Sequence, residues 1–172
     1  MGRVRGIPDP GFAADDGSTA PELAAALAAY GAGAERGYEQ ALSVLAGSRL
    51  LVPVLAVLGE VEVDEDGLPH DKTSDMATVL MRGRDGRTAL LAFTGTEPLH
   101  RWNPEARPVP VPTAKAAEAA VQDGAMAMLV DVAGPVPFVV ETDDLRELAQ
   151  GHVLVRMGGE VSARYGWVRP AR

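Results

Sequence analysis

The feature that most constrains the fold is an apolar segment that ends abruptly in small polar residues. Ala89 to Phe93 is an unbroken apolar run, and Thr94 to Thr96 follows it directly. Such a run is typical of a strand that is buried on both faces. Pro98 then stands where a first helical turn tolerates its missing N–H. The sequence therefore predicts a strand, a corner and a helix that is capped by Thr96.

The rest of the chain predicts an α+β fold, a single domain with a mixed, largely antiparallel sheet flanked by helices. Apolar residues at helical spacing predict two short helices after Pro21, or one helix broken at Gly31 and Gly33. Thr113 and Thr142 each precede a helical pattern and are predicted to cap two more helices. The other predicted strands are Leu50 to Leu58, Met76 to Met81, a short edge strand from Val109 to Val111, Ala127 to Val132, Val136 to Val140 and Val153 to Arg156.

Two local signals refine the strand predictions. Asp85-Gly86 favours a tight turn, so we expect Met76 to Met81 to pair antiparallel with Thr88 to Phe93. Pro53 lies inside the longest apolar run and cannot donate to a ladder. It is therefore expected at an edge or a bulge.

The composition changes along the chain and predicts three segments. Residues 1–20 are rich in Gly, Pro and Asp and predict a disordered N-terminal arm. Residues 21–156 carry the helix and strand patterns and form the predicted domain. Residues 157–172 are expected to be a C-terminal tail.

Charge and hydropathy exclude several classes of protein. The net charge of -8 argues against non-specific binding to nucleic acid or to an anionic membrane. The N-terminus lacks the apolar stretch of a secretory signal, and no apolar run is long enough to span a bilayer. We therefore expect a cytoplasmic protein without nucleic-acid or membrane partners.

Motifs for catalysis, metals and cofactors are also missing. The chain has no cysteine, its three histidines lack metal-ligand spacing, and no serine lies in a nucleophile motif. An acidic loop after Glu60 matches the start of a calcium loop but has Thr73 at the position of the bidentate carboxylate. Phosphate-binding and dinucleotide-binding glycine motifs do not occur. We predict no catalytic residue, no metal and no cofactor, which favours a non-catalytic binding or regulatory module.

Part of the sequence resembles a known family. Three segments carry the resemblance: Leu50 to Val54 with Pro53, Ala92 to Glu97 with Trp102 after it, and Ala127 to Leu148. They are similar to the N-terminal domain of the SseB (enhanced serine sensitivity) family of bacterial proteins. The resemblance implies an α+β domain without an established enzymatic activity or cofactor, so no catalytic residue is carried over from the family.

The corner is the one place where the sequence indicates a functional surface. Helix-start N–H groups, threonine hydroxyls and a nearby cation favour an anion or carboxylate site made of Thr94, Thr96, Glu97, His100 and Arg101. The alternative function is a small-molecule sensor or enzyme in which Glu97 or His100 is the acid or base.

Two further readings of the corner stay open. It can be a capped helix that binds nothing, with its Trp packed on the core and its charges in solvent. Trp102 can also be the contact for a protein partner or for a second copy of the chain, because tryptophan is enriched at interfaces.

Overall fold

The structure is a computed structural model that describes residues 12–56, 76–159 and 162–171. Its helices are α1 (Pro21–Gly31), α2 (Gly37–Ala46), α3 (Thr96–Trp102), α4 (Thr113–Gln122) and α5 (Thr142–Ala149). Its strands are β1 (Arg49–Ala56), β2 (Met76–Thr78), β3 (Leu80–Arg82), β4 (Thr88–Ala92), β5 (Arg107–Pro112), β6 (Ala127–Val130), β7 (Phe138–Val140), β8 (Val153–Met157) and β9 (Arg164–Val168). The predicted α+β class is confirmed. The acidic loop that resembles a calcium site lies outside the described residues.

The described strands form three sheets, where the sequence predicted one. The first has the order β2-β1-β5 and the second the order β3-β4-β6-β7, while β8 and β9 form a separate pair. β4 and β6 run parallel and the other pairs are antiparallel, so the second sheet is mixed. Leu51 and Phe93 exchange two backbone hydrogen bonds of 2.7 and 2.8 Å, which join the first two sheets at the end of β4.

The predicted hairpin at Asp85-Gly86 forms, although fewer residues of its first strand take part than predicted. Leu80 to Arg82 pairs antiparallel with Thr88 to Leu90. Met76 to Thr78 instead pairs with β1. The predicted strand therefore divides at Val79 between the two sheets, since hydrophobicity marks a strand without naming its partner.

The prolines of β5 all occupy alternate positions. Pro108, Pro110 and Pro112 lie opposite Pro53, Leu51 and Arg49 of β1. Because proline has no N–H, the ladder bonds to β1 must come from the residues between them. The prolines therefore direct their nitrogens to the outer edge of the sheet, where no donor is required.

The main core lies between the helices and the second sheet. Its largest buried side chain is Phe138, whose ring meets Tyr30 edge-on at 5.0 Å and stacks on Tyr38 at 5.2 Å. The predicted helix faces are buried here, including Leu23 and Leu27 of α1 and Leu42 and Leu45 of α2. No helix among the described residues is long and apolar enough to cross a membrane.

Part of the predicted C-terminal tail, residues 157–172, forms a strand in the structure. β8 extends to Met157 and pairs along its whole length with Arg164–Val168. Leu154 is buried against the core, and Tyr165 and Trp167 pack beside it. A short segment with few apolar residues thus becomes ordered because its aromatic side chains cover an existing core.

The threonines predicted as helix caps are instead the first residues of their helices. The N-cap positions belong to Gly95, Pro112 and Glu141. The threonine hydroxyls donate to carbonyl oxygens of other segments. Thr96 donates to Gly17, Thr113 to Ser48 and Thr142 to Met126. Each of these threonines therefore links the start of its helix to another segment through a hydrogen bond.

Candidate functional site at the strand–helix corner

The corner lies where two parallel strands end side by side. In the register of β4 and β6, Ala92 is opposite Val130. The Asp131 amide donates to the Ala92 carbonyl at 3.0 Å, so the pairing continues just past the strands. Thr94 and Asp131 are consequently the first polar residues after each strand. Ligand sites of α/β sheets commonly form at this edge.

Asp131 and Thr94 are joined by two hydrogen bonds. The Thr94 amide donates to Oδ1 of Asp131 at 2.8 Å, and the Thr94 hydroxyl donates to Oδ2 at 2.6 Å. Both residues are buried, with Asp131 only 7% exposed. Asp131 has a left-handed backbone with φ of 54°, a conformation that Asp tolerates better than most residues.

Burial raises the pKa of the Asp131 carboxyl above its ordinary value, while the two hydrogen bonds from Thr94 act in the opposite direction. Both of these donors are neutral. Among the described residues, no hydrogen bond or ion pair connects Asp131 to a cationic group. Within the described part of the chain, ionised Asp131 is therefore a buried negative charge without a bonded cationic partner.

Residues 12–20, which we call the strap, lie across the corner. The Thr96 amide and hydroxyl both donate to the Gly17 carbonyl, at 2.8 and 3.2 Å. The Thr19 and Thr94 hydroxyls are 2.9 Å apart. Since Thr94 donates its own proton to Asp131, Thr19 is the donor when Asp131 is ionised.

Arg49 holds the strap from the other side. Its guanidinium forms a two-pronged ion pair with the Asp15 carboxylate, and both side chains are largely buried, with exposures of 13% and 15%. The same guanidinium donates to the carbonyls of Thr94 at 2.6 Å and Ser18 at 3.0 Å. The hydrogen bond from Arg49 lowers the pKa of Asp15, so this pair persists at neutral pH.

The strap is the described part of the arm, residues 1–20, that was predicted to be disordered. That prediction depended on a shortage of apolar residues. The strap is instead held by hydrogen bonds and by a charge pair with Arg49. Residues 1–11 lie outside the described residues.

Glycine at position 95 is explained by the strap. Gly95 has φ of -158°, an extended conformation that any residue can adopt. A Cβ atom there would lie 2.9 Å from the Thr19 nitrogen and 3.0 Å from the Gly17 oxygen. Because those atoms belong to backbone, the strap would have to move. The backbones of strap and corner meet at a distance that only glycine permits.

A cavity of about 320 Å³ opens beside the corner, between α1, α3 and the segment after β6. Its polar lining comes from Thr19, Thr94, Glu97, Arg101 and Asp131. The remaining wall is apolar and consists of Ala24, Leu27, Ala28, Pro98, Pro135 and Val136. This combination of an apolar wall with a few converging polar groups is typical of small-molecule pockets.

The predicted site residues are divided by this geometry. Thr94, Glu97 and Arg101 line the cavity. Thr96 is turned to the strap, and His100 is exposed and outside the cavity lining. Arg101 binds the Glu97 carboxylate at 2.6 Å on an exposed surface. Of the two predicted cationic or titratable side chains, Arg101 thus lines the cavity and His100 does not.

The geometry engages several donors of the predicted anion site. The amide of Thr96, the first residue of α3, donates to Gly17, and the Thr94 hydroxyl donates to Asp131. A buried protein carboxylate thus lies beside the predicted anion site. Its negative charge makes the pocket unfavourable for a second anion and favourable for a cation.

Trp102 packs on the core side of α3. Its ring lies 5.5 Å from that of Phe93, in a smaller apolar cluster that includes Leu51, Leu91, Leu99 and Ala106. The side chain remains partly exposed. Its packing agrees with the core reading of this residue, and its role as a partner contact stays a prediction.

Comparison with known families places this corner in a larger unit. Residues 23–147 match the model described as SseB protein N-terminal domain. The chain belongs to this family. The matched SseB domain contains the corner, Asp131 and most of the cavity lining, while the strap precedes it. No curated protein and no solved structure matches the chain.

Sequence reasoning missed Asp131 as a site residue of this SseB domain. The signal was present, because Ala127 to Val130 is an apolar run that ends in Asp131 as Ala89 to Phe93 ends in Thr94. Two such endings become neighbours only if the strands are parallel and adjacent. That pairing brings together residues 37 positions apart and is not visible in local periodicity.

Proposed function

We propose that this SseB domain is a non-catalytic binding module whose corner pocket takes a small molecule through a cationic group. The observation that carries the proposal is the buried Asp131 carboxylate, which has only neutral donors among the described residues. A ligand ammonium beside Asp131 would supply the missing positive charge.

The energetic argument concerns the cost of burying a charge. Taking a carboxylate out of water costs several kcal/mol, and neutral hydrogen bonds recover only part of that free energy. A cationic ligand recovers more, because opposite charges attract strongly where the local dielectric is low. The raised pKa of Asp131 is consistent with this uncompensated cost.

The volume of the cavity suits a small ligand. A volume of about 320 Å³ lies at the lower end of the range for small-molecule pockets, roughly 300 to 1,000 Å³. Leu27, Val136 and Pro98 form much of the apolar wall. We therefore propose a small amine whose aliphatic part contacts this wall.

A binding role fits this chemistry better than a catalytic one. The Thr94 hydroxyl is buried and donates to Asp131, and the exposed His100 does not line the cavity. The described pocket thus lacks a nucleophile paired with an accessible base, which covalent catalysis requires.

The proposal is tested by comparing isobutylamine with isobutanol, which have the same shape and differ in charge. We expect the amine to raise the melting temperature of the wild type and to shift the amide resonance of Thr94, because a ligand of the native state stabilises it by mass action. The alcohol should have a much weaker effect.

Two variants separate Asp131 from the other carboxylate of the pocket. Asp131→Asn removes the charge with little change of shape and should abolish the response to the amine. Glu97→Gln is the matched control, since Glu97 is 82% exposed and paired with Arg101, and its response should be retained. Equal responses to amine and alcohol, or a full response in Asp131→Asn, would refute the proposal.

A further inference from the structure

The strap borders the polar side of the pocket and is attached to the domain by hydrogen bonds and an ion pair. Thr19 belongs to both, since it lines the cavity and its hydroxyl bonds to Thr94. Thr94 in turn bonds to Asp131. A continuous chain of hydrogen bonds thus connects the strap to the buried carboxylate.

The strap lies outside the apolar clusters of the domain. None of residues 12–20 belongs to either described cluster, so its undocking removes no member of them. Among the described residues, its polar contacts with the rest of the domain are the Asp15 ion pair with Arg49 and the hydrogen bonds to Arg49, Thr94 and Thr96. Segments with few buried apolar contacts open at a small fraction of the global unfolding free energy.

We infer that residues 12–20 are a lid that docks on the corner and limits access to Asp131. In the docked state Thr94 is 2% and Asp131 is 7% exposed. When the strap undocks, the Thr94 hydroxyl loses its partner in Thr19 and the wall formed by Thr19 is removed. The carboxylate then becomes accessible from the side of the corner. This inference concerns access alone and holds whichever ligand the pocket takes.

Gly95→Ala is the sharpest variant for opening the lid. The corner keeps its backbone conformation, because φ of -158° suits alanine, but the added methyl group meets the strap backbone at 2.9 and 3.0 Å. Gly47→Ala is the matched control, since its Cβ would meet only the Val44 oxygen at 3.9 Å. Asp15→Asn opens the lid independently by weakening the pair with Arg49 and alters no residue of the corner.

Docking is measured in the full chain by hydrogen exchange of the Thr96 amide, whose acceptor is the Gly17 carbonyl. Access is measured by carbodiimide-driven amidation with glycinamide, with the modified carboxyl located by peptide mass spectrometry. Asp144, which accepts a hydrogen bond from Tyr38 far along the chain from the strap, is the internal reference.

We expect Gly95→Ala and Asp15→Asn to accelerate both Thr96 exchange and Asp131 amidation roughly tenfold, the change in open population when docking weakens by about 1.4 kcal/mol. Gly47→Ala and the labelling of Asp144 should match the wild type. Faster Thr96 exchange with unchanged Asp131 amidation would overturn the inference, because the strap would then not limit access. Unchanged Thr96 exchange in both variants would overturn it as well, because the docking contacts would be wrong. Neither result depends on whether isobutylamine binds.

Discussion

Asp131 holds Thr94 by both its amide and its hydroxyl, at 2.8 and 2.6 Å, and so ties together the ends of two parallel strands. This pair stabilises the fold, and both of its residues also line the pocket. The Thr94 amide is buried, and the Asp131 carboxylate is its acceptor. The consequences of changing Asp131 for stability and for binding are therefore separable only with matched variants.

The first prediction concerns the stability of two Asp131 variants. Asp131→Ala leaves the buried Thr94 amide without its acceptor, which should lower the free energy of unfolding by about 1 to 3 kcal/mol. Asp131→Asn retains an oxygen for that amide and should remain close to the wild type. Urea denaturation at neutral pH measures both.

Backbone strain is the control for this comparison, because Asp131 has φ of 54°. Alanine is disfavoured in this conformation by roughly 1 to 2 kcal/mol, whereas glycine is not. Asp131→Gly should therefore be more stable than Asp131→Ala. If Asp131→Ala matched Asp131→Asn, the hydrogen bond to the Thr94 amide would contribute nothing.

The second prediction follows from the raised pKa of Asp131. Between the pKa of the unfolded chain, near the ordinary value of 3.8, and the higher folded pKa, the folded state retains a proton that the unfolded state has released. Stability must then fall as the pH rises through this window. Asp131→Asn removes the effect.

The measurement is the unfolding free energy of wild type and Asp131→Asn from pH 4 upward, in buffers of equal ionic strength. The wild type should lose stability relative to the variant until the folded pKa is passed, and the difference should then be constant. A difference that moves in the opposite direction would mean that the Thr94 hydrogen bonds or a cationic partner outweigh the effect of burial on the Asp131 pKa.

The corner could be located from sequence because its signal is local. An apolar run that ends in Thr94 and is followed by Pro98 predicts a strand, a turn and a helix start wherever it occurs. The direction of the threonine hydroxyls could not be predicted. Their acceptors at Gly17, Ser48 and Met126 belong to other segments, which tertiary structure brings to each helix start.

The docking of the strap could not be predicted for a different physical reason. Rules for disorder weigh apolar surface against ordering entropy, and residues 12–20 offer little apolar surface. Their docking relies on Arg49, a residue 34 positions from Asp15. The glycine at position 95 also indicated the docked strap, but this could not be recognised from sequence. Its backbone angle does not require glycine, and only the close approach of the strap explains the residue.

The third prediction tests the hydrogen bond between the start of α4 and Ser48, the residue before β1. Thr113 is fully buried, and its hydroxyl and amide both donate to the Ser48 carbonyl, at 2.9 and 3.1 Å. Thr113→Val preserves the shape and the amide bond and removes only the hydroxyl. We expect a loss of about 0.5 to 1.5 kcal/mol, the usual net contribution of one hydrogen bond.

Thr142→Val is the comparison for Thr113→Val. The Thr142 hydroxyl bonds to Met126 in a more exposed setting, where water can replace the lost partner. Its unfolding free energy should change less than that of Thr113→Val. The opposite order would show that burial does not control how much these hydroxyl hydrogen bonds contribute to the unfolding free energy.

The last prediction concerns the prolines of β5. Pro108 and Pro110 direct their nitrogens away from β1, so the outer edge of this strand lacks donors that a second chain could use. The double variant Pro108→Val/Pro110→Val restores two N–H groups on that edge and adds residues that favour strands. We expect it to associate in a concentration-dependent manner while the pairing of β5 with β1 persists, since the donors to β1 are Val109 and Val111. Light scattering over a dilution series measures the association.

Pro108→Lys/Pro110→Val is the control, because a lysine on the edge opposes pairing between chains. If the two variants had the same oligomeric state as the wild type at every concentration, the alternating prolines would protect nothing and would reflect only the local geometry of β5.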